Sequence, residues 1–146
     1  MAFKFKFDAL QRHRKTLRDL AQRDFADAQA EASKQMQYIE SLFVQIDKAN
    51  EKSVEIRNSV PVDLEQLKGI EEFINLQNIK IEMEREKARE LLSIMEEKQE
   101  ILVEKAKEYK VVELLREKEH KKYLDKVKMI EAKEMDDMNL MRSSRS

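Results

Sequence analysis

The chain has no cysteine, no tryptophan, one glycine and one proline in 146 residues, and each shortage closes off a class of protein. Without cysteine there is neither a disulfide framework nor a thiolate metal site. With so few turn formers, an all-β or α/β domain, which needs repeated tight turns, is excluded. No apolar run approaches the roughly 20 residues of a membrane span; the longest, from Ile39 to Ile46, is broken by Glu40, Ser41 and Gln45. The N-terminus is basic but lacks the apolar stretch of a secretion signal. Excess charge of one sign is missing too, with 29 basic against 30 acidic residues, so no global field draws the chain to nucleic acid or to an anionic membrane. There is no phosphate-cradling glycine loop, no HExxH and no cysteine nucleophile. His13 and His120 have no metal spacing and read as surface residues. No enzymatic activity, cofactor or metal is expected, and the whole fits a soluble cytoplasmic protein.

What is present is charge and periodicity. Charged residues make up 40% of the chain, a composition of long helices. Stepping by seven from Leu67 meets Ile74, Ile81, Ala88, Met95 and Leu102, all apolar. A straight helix of 3.6 residues per turn cannot hold such a seam on one side, so the repeat predicts a left-handed supercoil around a partner helix. The interleaved positions, Ile70, Gln77, Glu84, Leu91, Lys98 and Lys105, are mixed, so the seam is half apolar and half wet.

The partner lies upstream. Residues 1–7 alternate lysine and phenylalanine and suit an extended arm with Phe3, Phe5 and Phe7 on one side. Asp8 can cap a helix with Gln11 in the reciprocal place. An apolar stripe then runs through Leu10, Leu17, Ala21, Phe25, Ala28, Ala32, Met36 and Ile39, with extra steps of four that predict local straightening. From Ile39 it becomes a clean heptad through Leu42, Ile46, Ala49, Ser53, Ile56 and Val60. Pro61 stops this helix, with Asn58 and Ser59 as exit residues. The second helix is announced by Asp63 as N-cap, Gln66 at the reciprocal position and a Val62–Leu67 staple.

Helix, short proline turn, helix is an αα-hairpin, so the fold class is all-α: a long antiparallel two-helix coiled coil forming one domain. The expected elements are an arm over 1–7, helices over 8–58 and 63–141, a turn over 59–62 and a tail over 142–146. Position 60 minus n should face about 60 plus n, which sets Asp8 opposite residue 113. With no stop signal before Ser143 and Ser144, a C-terminal helical overhang of about 28 residues, on the order of 40 Å, is predicted. On it Tyr123, Val127, Ile130, Met135, Met138 and Met141 continue a stripe with no partner in this chain, which invites another protein.

Three further features stand out from solvated helix faces. Residues 1–23 carry Lys4, Lys6, Arg12, Arg14, Lys15, Arg18 and Arg23 against Asp8 and Asp19, and the hairpin sets them near Lys118, Lys121, Lys122, Lys126 and Lys128, a positive end. The methionines of the overhang, Met129 among them, suit a surface that re-packs on differing partners. Phe73, Leu76, Ile79 (or Lys80) and Met83 lie beside the main seam, a candidate binding face unless Phe43 and Val44 bury it.

The opening Phe3-Lys-Phe5-Lys-Phe7-Asp8-Ala9-Leu10 with Arg14, the central Glu72-Phe73-Ile74-Asn75-Leu76-Gln77 and the closing Glu131-Ala132-Lys133-Glu134-Met135-Asp136-Asp137 resemble the FliJ family of bacterial flagellar type III export. The resemblance implies a non-enzymatic export component, similar to the central stalk of rotary ATPases. Its terminal end would enter the hexameric export ATPase, and other surfaces would meet the cytoplasmic domain of the membrane export gate and the export chaperones. It further implies a place at the cytoplasmic face of the inner membrane at the flagellar base, peripheral to the membrane through partners only. On this resemblance the ATPase-binding residues would be Arg14, Arg18, Tyr123, Val127, Ile130, Lys133 and Met135. The gate-binding face would be Gln45, Phe73, Leu76 and Met83.

Two other readings exist. One is a passive homodimeric spacer in which the second helix pairs with its own copy. The other is a nucleic-acid binder of the bZIP type, but Asp19, Asp24 and Asp27 interrupt the first basic segment and Glu117, Glu119 and Asp125 the second. Replacing Val60, Pro61 and Val62 together by alanine should disrupt a hairpin and spare a through-going dimer. Sedimentation of the triple variant reads this as a change of mass and shape, or as none.

Overall fold

The computed structural model describes residues 2–145. Helix α1 spans Asp8–Arg57 and helix α2 spans Leu64–Arg145, and no strand occurs among the described residues. The helices fold back antiparallel: Gln35 meets Glu84, Gln45 meets Gln77 and Arg14 meets Glu108. Internal packing divides the chain into two compact units, Gln22–Ile101 and Met1–Ala21 with Leu102–Ser146. No helix among the described residues is long and apolar enough to cross a membrane.

In the first of these units the seam of α2 is the predicted one. Leu67, Ile70, Ile74, Gln77, Ile81, Glu84, Ala88, Leu91, Met95 and Lys98 are the residues withdrawn from solvent. The seam of α1 differs at one step. It runs Phe25, Ala28, Ala32, Gln35, Ile39, Leu42, Ile46, Ala49, Ser53 and Ile56, alternating steps of three and four. Gln35 therefore takes the place expected for Met36, which is 50% exposed, so the step of four expected from Ala32 to Met36 is a step of three to Gln35. The reason is polar: Gln35 Nε2 donates to Glu84 Oε2 at 2.7 Å and to the Glu84 carbonyl at 3.0 Å, a pairing the Met36 thioether could not make.

The apolar centre of this seam is Ile39, Leu42, Ile46, Ile81 and Ala88, with Ile74 packed against it. Leu42 and Ile81 are each 2% exposed, and burying such a side chain contributes about 1.5–3 kcal/mol. The wet seam positions are satisfied across the pair. Gln77, buried, donates from Nε2 to Gln45 Oε1 at 2.7 Å, and no buried side-chain nitrogen or oxygen among the described residues lacks a partner. The Gln35 hydrogen bond, aided by nearby Lys87 and opposed by burial, holds the Glu84 carboxyl below its ordinary range.

At the fold-back, α1 ends at Arg57. Ser59 returns its amide and its hydroxyl to the Ile56 carbonyl, at 3.2 and 2.7 Å, satisfying an acceptor left over at the helix end. Val60, expected to close the seam, is instead 96% exposed, because the chain has left the helix before Pro61 and its Cβ no longer follows the seam. Asp63 caps α2 as predicted: its Oδ1 accepts from the Glu65 and Gln66 amides at 3.1 and 3.2 Å, worth about 1 kcal/mol.

In the second unit the withdrawn side chains include Phe5, Ala21 and Val112. Here α2 continues through Ser143 and Ser144, where a stop was expected. Ser144 Oγ donates to the Met141 carbonyl at 2.9 Å, a bond within the helix in place of a competing turn.

Replacing Ile81 by Asp sets a carboxylate on a seam position only 2% exposed. The expected loss is more than about 3 kcal/mol, read by circular dichroism as collapse of the thermal transition.

Candidate interaction surfaces

At the termini, the predicted cap of α1 is replaced by a cross-helix hub. Asp8 is the first helical residue, and its Oδ1 accepts from Arg116 Nη1 at 2.8 Å, with Gln11 Oε1 accepting from the same nitrogen at 2.7 Å. A charge-assisted bond to a guanidinium outcompetes a neutral amide for the carboxylate, so Asp8 and Gln11 serve Arg116 and not each other. Asp8 thus faces residue 116, three positions beyond the expected 113. Arg116 also lies over the Phe5 ring, 5.6 Å from its centroid, and Phe5 is buried.

The arm then runs on along α2. The Phe3 ring meets His120 edge-on at 4.9 Å and Tyr123 at 5.5 Å. His120 is exposed, as expected of a surface residue, and its ring also seats the arm. One expectation changes: Tyr123, expected on an uncovered stripe, is half-buried beneath Phe3. The uncovered length is shortened to the residues past Tyr123. The three arm phenylalanines also part company: Phe5 is buried and Phe7 exposed, their rings edge-to-face at 5.9 Å across a turn at 6–7.

Beyond Tyr123, Val127 is half-buried, and every described residue from 128 to 145 is exposed, including Ile130, Lys133, Met135, Met138 and Met141. This stretch is a single helix carrying an apolar stripe. Arg14 and Arg18 are engaged within the hairpin. Arg14 Nη1 donates to the Glu108 carbonyl at 2.9 Å. Arg18 pairs with Asp19 at 2.9 Å and stacks over Tyr109 at 4.5 Å. Arg116 and Tyr109 are participants that periodicity did not single out; the hairpin arithmetic, read outward from Asp8, was the available signal for Arg116.

In the Gln22–Ile101 unit, Phe73, Leu76, Ile79 and Met83 remain exposed, at 42, 67, 60 and 63%. Burial against Phe43 and Val44 does not occur, because the Phe43 ring sits under Arg85 at 5.4 Å and Val44 is itself exposed. Gln45 reaches across to Gln77, so its amide oxygen is engaged. Lys80 lies 5.7 Å from the Tyr38 ring centroid, and its hydrogen bond to Tyr38 is the main cause that pushes Lys80 up. A groove of about 380 Å³ opens beside Phe73, between Ala49, Lys52, Ile56, Gly69 and Ile70. No group of His, Cys, Asp and Glu among the described residues is placed to hold a metal.

These features define an antiparallel coiled-coil hairpin with exposed apolar residues on its faces and along the last described turns of α2. The family model described as "Flagellar FliJ protein" matches residues 3–146. The chain therefore belongs to the FliJ family, and with that goes a role related to flagellar export. The chain matches no curated protein and no solved structure.

Replacing Arg116 by Ala removes the common partner of Phe5, Asp8 and Gln11. Amide hydrogen exchange over residues 3–12 should accelerate by about tenfold or more, while exchange around Leu42 and Ile81 stays as it was.

Proposed function

We propose that the chain is a non-catalytic part of the flagellar type III export apparatus that acts as the central stalk of its hexameric ATPase. The terminal unit enters the hole of the ring, promotes ring assembly and raises ATP turnover. The exposed residues of the other unit couple that turnover to the cytoplasmic domain of the membrane export gate and receive export chaperones. The observation that carries this reading is the single-helix end of α2, with Ile130, Met135, Met138 and Met141 exposed and no second helix over them. An apolar stripe on a helix is a cost in water unless something covers it, and membership of a flagellar export family supports a partner within that apparatus.

Within this reading Val127, Ile130, Lys133 and Met135 make the ring contact. Arg14, Arg18 and Tyr123 brace it from behind, since the structure engages each of them with α1, α2 or the arm. Gln45, Phe73, Leu76 and Met83 form the gate-contacting face.

The test is steady-state ATP hydrolysis by the cognate flagellar export ATPase with the full chain and with a chain ending at Lys126. That truncation keeps Arg116, His120 and Tyr123, so the arm retains its seat. Full-length stimulation that disappears with the truncation, and with Val127→Asp or Ile130→Asp at unchanged helicity, is the expected result. Equal stimulation by the truncated chain moves the contact elsewhere; none from either chain, both folded, leaves a passive spacer.

A further inference from the structure

The two flanks of the seam in the Gln22–Ile101 unit differ in charge. Along the central part of the seam, from Gln35 to Ser53, the α1 residues one step before the seam positions are Lys34, Tyr38, Ser41, Gln45, Lys48 and Lys52. On α2 they are Gly69, Phe73, Leu76, Lys80, Met83 and Lys87. The two sets share one flank, since Lys80 lies over Tyr38 and Lys52 lines the same groove as Gly69 and Phe73. None of these positions is acidic. The opposite flank, one step after the seam, carries Glu40, Asp47, Glu71 and Glu82 together with Arg85 and Arg89. The basic window is bounded, by Glu31 and Glu55 on α1 and by Glu90 on α2. Glu84, a carboxylate of the seam itself, is occupied by Gln35 and, at 3.4 Å, by Lys87.

Within the basic flank lies the groove, and at its edge stands the chain's one glycine. A Cβ added at Gly69 would meet nothing within 4 Å, so no packing inside the chain requires glycine there, although glycine weakens a helix. The space is open to an incoming side chain, with Ala49, Ile56 and Ile70 as an apolar lining and Phe73 as a wall. We infer that this flank docks an acidic segment of another protein, which places one aromatic or long aliphatic side chain in the groove at Gly69 and its carboxylates against Lys48, Lys52 and Lys80. Charge decides the occupant. A second copy docking by two-fold symmetry would set these lysines against their own kind, whereas an acidic segment is complementary in charge and in its apolar anchor. The inference deepens the gate-contact reading and rests on it for the partner's identity only.

The experiment uses the full chain and fluorescence anisotropy with a short labelled peptide of glutamates around one phenylalanine, beside the same peptide with lysines for glutamates. The acidic peptide should bind, more weakly as salt rises, and the basic one should not. The double variant Lys48→Glu, Lys52→Glu should weaken binding by about tenfold or more. Gly69→Leu should fill the groove and weaken binding comparably, while the melting temperature holds or rises, which separates blocking from misfolding. Equal binding of both peptides, or retained affinity in the double variant, overturns the inference. So does a wild-type dimer in sedimentation that the double variant splits. The cognate gate domain serves as a second probe. Acidic-peptide binding without gate-domain binding leaves the docking surface standing and removes the gate as its partner. Gate binding insensitive to all three substitutions does the reverse.

Discussion

Everything in the structure depends on the fold-back between Arg57 and Leu64. Proline cannot continue α1, the Asp63 carboxylate caps the new helix, and the few residues between force the helices antiparallel. A turn of fixed length also fixes a register: Gln45 meets Gln77 and Gln35 meets Glu84. Shifting either helix by one residue would separate these pairs and turn Leu42 and Ile81 toward water. The polar seam positions thus work as specifiers of alignment. They add little net stability, but leaving them unpaired would be costly.

Pairing two helices along one stripe leaves the residues on either side of it in contact with solvent, and these flanks are where recognition can reside. One of them takes lysines with Phe73, Leu76 and Met83, the other mixes both signs. Because both flanks border the same seam, substitutions on them change surface chemistry while sparing the buried leucine and isoleucines. A coiled coil therefore separates what holds it together from what it presents, residue by residue within each heptad.

Much of this was legible in the linear pattern. The heptad from Leu67 to Lys98, the break at Pro61 and the cap at Asp63 were each readable because their causes are local: a repeat, a fixed φ, a side chain that reaches its own backbone. The errors fell where a distant partner decides. Met36 is more apolar than Gln35, yet Gln35 takes the seam because Glu84 is opposite. Asp8 and Gln11 have the spacing of a reciprocal cap, yet Arg116, remote in sequence, draws both. Val60 is the exception, missed for a local reason: it has the right period, but the helix ends before reaching it. Among the candidate interaction residues, Phe73, Leu76 and Met83 were legible as lying off the seam, with burial against Phe43 and Val44 left open, and the exposure of the methionines past Ile130 followed from the surplus length of α2. The half-buried state of Tyr123 did not, because Phe3 covers it from the other end of the chain.

By itself the sequence determined the fold class, the place of the turn, the seam of α2 and the surplus length of α2, since periodicity, proline and chain length act without knowledge of what lies across. Only the tertiary structure decided which polar residues enter the seam, where the arm lies on α2 and which arginines are already engaged. It also decided that the lysines of both helices meet on one flank, around an open groove at Gly69. Those outcomes depend on which side chains face each other across the pair, and an antiparallel register brings together residues that no local spacing connects.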